Sequence, residues 1–431
     1  MKLFCIFISI LVISFTADIL YSGEIPAPSV SIATSSGETL PALIEELLLN
    51  NPSIRAARET TAAAKERIAI EKAWADPMLG FMVMPTPTAE MTMLSGARNT
   101  EISQQIPLGG QKRLAGRIAE TGMKIVQVEE SLEKLTQIES LKIAFEEIAY
   151  LDAAIEILTE NQKVLDQISG MVVSKSSYSV LLSEIQRIQT QLSQAAYDEG
   201  LLRELRTAEL AKLNALLNRP IDRPIRIVGD TRADPPPASL AILLDLAQQR
   251  QPDIRMAEFE KTMARQEISM AWKERVPEFT LGWRQQRDKS WRQDTRGNIL
   301  TFDFSLPVWG GKNVARVSEA KHKALAAQEK LTATRNSATA NITGQFVRIQ
   351  NLWRTVRIYE DRLLPQALAA LEGAQSSSFV RENQPLESIE AQAVYLNFCL
   401  AHRRAVADYR QALARLETLT GPLPDGTVKQ P

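Results

Sequence analysis

Three segments of the chain return 200 residues later in the same register. Asn51-Pro52-Ser53-Ile54-Arg55 becomes Gln251-Pro252-Asp253-Ile254-Arg255, and Pro77 becomes Pro277. Ile106-Pro107-Leu108-Gly109-Gly110-Gln111-Lys112 becomes Leu306-Pro307-Val308-Trp309-Gly310-Gly311-Lys312. A single offset held this long means two copies of one structural unit. Pro220, Pro224 and Pro235-Pro236-Pro237 exclude a helix running on between the copies. The expected organisation is a leader over 1–22, a first copy over 23–218, a joining segment over 219–250, a second copy over 251–420 and a tail over 421–431.

The leader follows from Lys2 and the apolar run 3–15 after it. That run is the length of a signal-peptide core and too short to span a bilayer. Cleavage falls near Ala17 or near Ser22. Beyond the leader no stretch approaches the ~20 apolar residues of a membrane helix, so any insertion must use strands. Composition removes other classes. Fifty Lys and Arg against 51 Asp and Glu, a net charge of -1, offer nucleic acid no electrostatic footprint. Two cysteines, Cys5 and Cys399, and two histidines, His322 and His402, leave little for catalysis, a cofactor or a metal site. We therefore expect no enzyme, no cofactor and no metal centre.

Within each copy the hydrophobic period changes in the same order. Residues 53–74 read as helix, stopped by Pro77. Strands follow. Phe279, Leu281 and Trp283 alternate with Thr280, Gly282 and Arg284, and Leu300, Phe302 and Phe304 with Thr301, Asp303 and Ser305. Period two with one oily and one polar face belongs to a strand between two environments. Leu79, Phe81, Val83, Ile102 and Ile106 repeat the pattern in the first copy, giving hairpins over 77–107 and 277–307 with polar loops at 85–98 and 287–297. Three-four spacing through Ile118, Ile125, Leu132, Leu141, Phe145 and Ile148 then predicts coiled-coil helical hairpins over 112–217 and 312–419, broken at 169–179 and 376–387. The long helix 113–169 would span ~85 Å, matched by helices 53–75 and 180–217 laid end to end at ~92 Å.

Four strands of this length cannot close, and an open edge is not tolerated in lipid. Two chains give a plugged tube and three give twelve strands with room for water, so the expected fold is mainly α with a membrane β part. Long helical hairpins would form an α-helical barrel, and a homotrimer would assemble a β-barrel from four strands per protomer. Thr280, Arg284, Thr301, Asp303 and Ser305 would then face the lumen, with Phe279, Trp283, Phe302 and Phe304 facing lipid. The same alternation would suit a soluble β-sandwich end with one buried face. Pro107 and Pro307 end strands, and Gly109, Gly110, Gly310 and Gly311 supply tight strand-to-helix turns where a side chain would crowd a neighbouring protomer. Met78, Met82, Met84, Met91 and Met93 read either as adaptable packing or as soft ligands for Cu(I). Glu372 and Glu387 sit where they could ring a channel mouth.

The order of hairpin, Pro-hydrophobic-x-Gly-Gly-Lys turn (sharpest at 307–312, weaker at 107–112) and long helical hairpin, twice after a leader, resembles the TolC-type outer-membrane efflux proteins. Asn51-Pro52, Leu217-Asn218-Arg219-Pro220 and Ala391-Gln392 are similar to further family landmarks, and Asp76-Pro77-Met78-Leu79-Gly80-Phe81 is similar to the heavy-metal-efflux branch. The resemblance implies a homotrimeric exit duct in the outer membrane of a Gram-negative bacterium, contacting outer-membrane lipid. It also implies an equatorial layer from 25–50, 219–250 and the tail, and docking of a periplasmic adaptor (membrane fusion) protein that joins an inner-membrane pump of the RND type. By position the docking tips hold Ser176, Tyr178, Phe379, Asn383 and Pro385. A duct for secreted polypeptides has the same sequence pattern. A periplasmic coiled-coil adaptor would need lipoyl-like β segments, which are absent from the sequence.

Overall fold

The structure is a computed structural model that describes residues 38–85, 96–175, 181–227, 233–237, 239–289, 294–305, 309–380 and 385–421. The leader and the tail beyond Gly421 lie outside the described residues. The first copy runs α1 (Leu40–Asn50), α2 (Pro52–Lys72), β1 (Met78–Pro85), β2 (Gly96–Ile106), α3 (Gln111–Lys175) and α4 (Leu181–Leu216). The second runs α5 (Leu240–Arg250), α6 (Pro252–Lys273), β3 (Phe279–Lys289), β4 (Asp294–Phe304) and α7 (Gly310–Ile358). A π-helical turn (Tyr359–Leu363), α8 (Leu364–Val380) and α9 (Pro385–Thr420) complete it.

The repeat is therefore one of structure. Helix α3 holds 65 residues, ~97 Å at 1.5 Å per residue, and α2 and α4 both pack along it. They meet end to end: Asn51 Nδ2, at the head of α2, donates to the Leu216 carbonyl of α4 at 2.8 Å. In the second copy α9 ends at Gly421 (φ 77), packed so closely that an added Cβ would lie 3.1 Å from the Cβ of Arg250, the last residue of α5, two residues before α6 begins. Asn218 (φ 55) ends α4 in the same left-handed conformation, the usual way to stop a helix.

Two apolar clusters at matching heights form the core. Leu43 and Leu47 of α1 pack with Ile54, Leu141, Phe145, Ile148 and Leu213. Leu243 and Ala247 of α5 pack with Ile342, Phe346, Ile349, Tyr409 and Leu416. The joining segment is held by Arg219, which is 8% exposed and bonds Glu38 at 2.8 Å and Glu46 at 2.6 Å. A parallel bridge from Glu38 to Ile227 lies beside it. Ion pairs sew the copies together along the α3–α9 seam: Glu146–Arg410 at 3.2 Å, Glu147–Arg404 at 2.7 Å, and Lys142–Glu417.

Several expectations need correcting. Helix α3 runs to Lys175 rather than 169, α8 to Val380, and α9 starts at Pro385 rather than 388. The segments read as loops 85–98 and 287–297 are strand at both ends, because β1 continues to Pro85, β2 begins at Gly96, β3 continues to Lys289 and β4 begins at Asp294, with 86–95 and 290–293 outside the described residues. Their polar residues belong to ladder positions beyond the apolar ones. The second long helix is not continuous α, since one π turn interrupts it at 359–363.

Candidate channel wall

The two hairpins make one antiparallel sheet in the order β1-β2-β3-β4, so the copies pair through β2 and β3. Partner residues in a ladder share a face, and alternate residues change face. On one face stand Leu79, Phe81, Val83, Ile102, Ile106, Phe279, Leu281, Trp283, Leu300, Phe302 and Phe304. Phe279 packs on Phe304 at 5.1 Å between ring centroids and on Phe302 at 6.0 Å. Phe302 and Phe304 remain 58% and 59% exposed, and Phe81 73%. The face is apolar and uncovered.

Thr280, Arg284, Thr301 and Asp303 occupy the other face, with Glu101, Ser103, Gln105, Asn99 and Gln286. Arg284 donates to Glu101 at 2.8 Å across β2 and β3. Ser305 differs from its expected place in a strand: β4 ends at Phe304, and Ser305 Oγ accepts from the Glu278 amide at 2.9 Å, tying off the sheet. Met78 and Met82 also stand on the polar face, exposed. Four residues apart on one strand is ~13 Å, too far for one ion to bridge them. The side chain of Met84 and the whole of Met91 and Met93 lie outside the description. Among the described residues no group of three His, Cys, Asp or Glu could hold a metal ion.

Both sheet edges are open, β1 and β4 each pairing on one side only. No helix among the described residues is long and apolar enough to cross a membrane. Exposed Trp74, Trp272 and Trp309 mark the junctions between sheet and helices, with Arg275 over the Trp272 ring at 4.8 Å.

The two turns differ. Strand β2 ends at Ile106, before Pro107, and Gly109 and Gly110 then take φ of 73 and 71. That turn is gripped by the end of α6. Lys273 donates to the Gly109 carbonyl, a Cβ on Gly109 would lie 3.4 Å from Val276, and Gln111 Nε2 donates to the Lys273 carbonyl at 2.9 Å. Crowding at Gly109 therefore arises already within one chain. Gly310 and Gly311 are instead the first residues of α7, without the positive φ of Gly109 and Gly110 and with nothing in the chain near a built Cβ. Pro307 lies outside the described residues.

At the far end of the column, Glu372 on α8 and Glu387 in the first turn of α9 are both exposed. Pro385 opens α9, and Phe379 lies on α8 with its side chain outside the description, as are Ser176, Tyr178 and Asn383. Cys399 is half-buried rather than buried, and burial pushes its thiol up. Burial likewise lifts the Glu146 carboxyl above the ordinary range, against the pull of Arg410. Sequence reasoning missed Glu101, the partner of Arg284, and the arginines at 98, 287 and 296. Continuing the period-two pattern outward from Ile102, Trp283 and Leu300 would have found them.

An apolar face, a polar face and two open edges set on a long helical column match known channels. Residues 243–422 match the sequence family described as Outer membrane efflux protein. The gonococcal MtrE outer membrane channel in its open state superposes with a TM-score of 0.75 at 17% identity, covering 89% of each chain. The outer membrane protein VceC from Vibrio cholerae gives 0.71 at 18%, covering 89% of this chain and 96% of its own. The Campylobacter jejuni CmeC outer membrane channel gives 0.73 at 16%, covering 92% and 90%. This chain has the fold of the outer membrane efflux channels. No curated protein matches it. The matched family and structures are efflux proteins and channels, not enzymes. The fold places this chain's strand-to-helix turns between its sheet and its column.

Proposed function

We propose that the protein is the outer-membrane exit duct of a tripartite efflux system. Three copies pool their strands into a twelve-stranded barrel, with Thr280, Arg284, Thr301 and Asp303 lining an aqueous bore and Phe279, Trp283, Phe302 and Phe304 meeting lipid. The helical columns continue the bore through the periplasm. Their far ends, at 169–180 and 376–388 with Glu372 nearby and Glu387 within the second, receive the adaptor that links the duct to an inner-membrane pump of the RND type. The observation that carries this reading is the open four-stranded sheet: its apolar face is uncovered and both edges lack partners, which lipid permits only after closure with further copies. The duct does no chemistry and passes substrate along a wetted polar wall.

Cell fractionation tests it. Detergent-resistant, heat-sensitive trimers in the outer membrane are expected, and a soluble periplasmic monomer contradicts the reading.

A further inference from the structure

Three arginines stand side by side on the apolar face of the sheet. The ladder pairs Arg98 with Arg287 and Arg287 with Arg296, which aligns one residue from each of β2, β3 and β4. Each lies an even number of residues from the apolar positions of its strand, four from Ile102, Trp283 and Leu300, so the row shares their face. All three are exposed. The fourth position of the row is Val83 of β1.

The height of the row matters as much as its charge. Moving outward from Phe279 and Phe304, the face carries aromatic and aliphatic residues for three rows with Gln104 among them, then Phe81 beside Thr100, Gln285 and Asn298, then the arginines. Eight residues separate the first row from the arginine row, ~27 Å along a strand, or ~20 Å along the normal at a tilt of ~40°. The exposed tryptophans Trp74, Trp272 and Trp309 mark the helical end. The apolar band of an outer-membrane barrel wall is ~25 Å tall, so a row ~20 Å beyond the first aromatic row stands near its outer border.

A guanidinium row has the planar, paired donors that suit phosphate. We propose that Arg98, Arg287 and Arg296 form a binding row for the phosphate groups of outer-leaflet lipid, three rows to the trimer. This rests on the barrel reading above, because only that reading turns the apolar face to lipid. It goes beyond passage of substrate: the row would anchor the duct at a fixed depth through a specific headgroup chemistry.

The test uses the full-length trimer in phosphatidylcholine nanodiscs containing bisphosphorylated lipid A or the same lipid dephosphorylated, with bound lipid counted by native mass spectrometry. Selective retention of the phosphorylated form is expected, reduced at least tenfold by the combined R98Q, R287Q and R296Q substitutions. Excess inorganic phosphate should not displace it. Equal retention of both lipids by the wild-type trimer overturns the proposal without needing any variant to fold. So does retention unchanged in the triple variant, or full displacement by inorganic phosphate, which would mark a free-anion site. Single-channel conductance of the same samples separates the two readings. Conductance with no lipid preference sinks the row alone, whereas protein that neither trimerises nor conducts sinks the barrel.

Discussion

Asn51 and Gln251 hold the same place in the two copies, with φ, ψ of -62, 125 and -61, 125. They differ by one methylene. Asn51 Oδ1 accepts from the Ile54 amide at 3.1 Å and caps α2, whereas Gln251 makes no cap and its Oε1 is buried without a partner. Q251N should supply the missing cap and stabilise the protein by about 1 kcal/mol, and N51A should cost about as much. Thermal unfolding of the two variants checks both. Glu146 gives a pH prediction. Its folded carboxyl is lifted by burial, so between the ordinary glutamate range and the raised value the folded chain holds a proton that the unfolded chain has lost. Stability is then highest below that window and falls as pH rises through it. The stability of wild type relative to E146Q, followed by denaturant unfolding across pH, should decline through the window, and a flat difference would contradict the assignment. The repeat made the equivalence of Asn51 and Gln251 legible in sequence. The failed cap was not, because it depends on a side-chain reach that only coordinates show.

At the scale of elements, the two Gly-Gly turns look alike in sequence and behave differently. G109A forces a Cβ into a left-handed residue against Val276 and should destabilise by about 1–2 kcal/mol. G310A sits at a helix start with open space around it and should be neutral or stabilising by up to about 1 kcal/mol. Parallel melts of the two variants read the contrast. The sequence copies match here because both need a strand to stop. The backbone diverges because only the first turn is clamped by Lys273, a contact 164 residues away. The π turn at Tyr359–Leu363 was likewise invisible to periodicity, since one extra residue hides inside an apolar pattern already shifted in phase. It is braced by Glu360 against His402 at 3.3 Å and by Tyr359 edge-on to Phe398. Deleting one residue there should make the helix continuous and leave Ala367 and Leu371 in their buried positions, because a π turn takes up one extra residue without turning the helix faces on either side. Hydrogen exchange over 364–380 as slow as in the wild type is the expected result, and faster exchange would contradict it. Strand alternation was the most legible element of all, because a face against lipid or water writes period two directly into the chain. It became illegible only where both faces turn polar, which is where Arg98, Arg287 and Arg296 were read as loop.

The whole molecule is a column capped by an incomplete wall. Within one chain the column has matched core clusters, a seam of ion pairs between copies, and helices that meet head to tail, yet it leaves Ile70, Val314, Leu325 and Val347 exposed. The wall is less complete still. Its aromatic face is uncovered and its outer strands end in unpaired ladders among the described residues. The proposed closure by identical copies would resolve both defects at once and leave the Arg284–Glu101 face around water. Single-channel recording in planar bilayers tests this most directly. Purified trimers should insert and give discrete, ohmic conductance steps of a water-filled pore, and a protein that stays monomeric and leaves the bilayer silent would contradict the account.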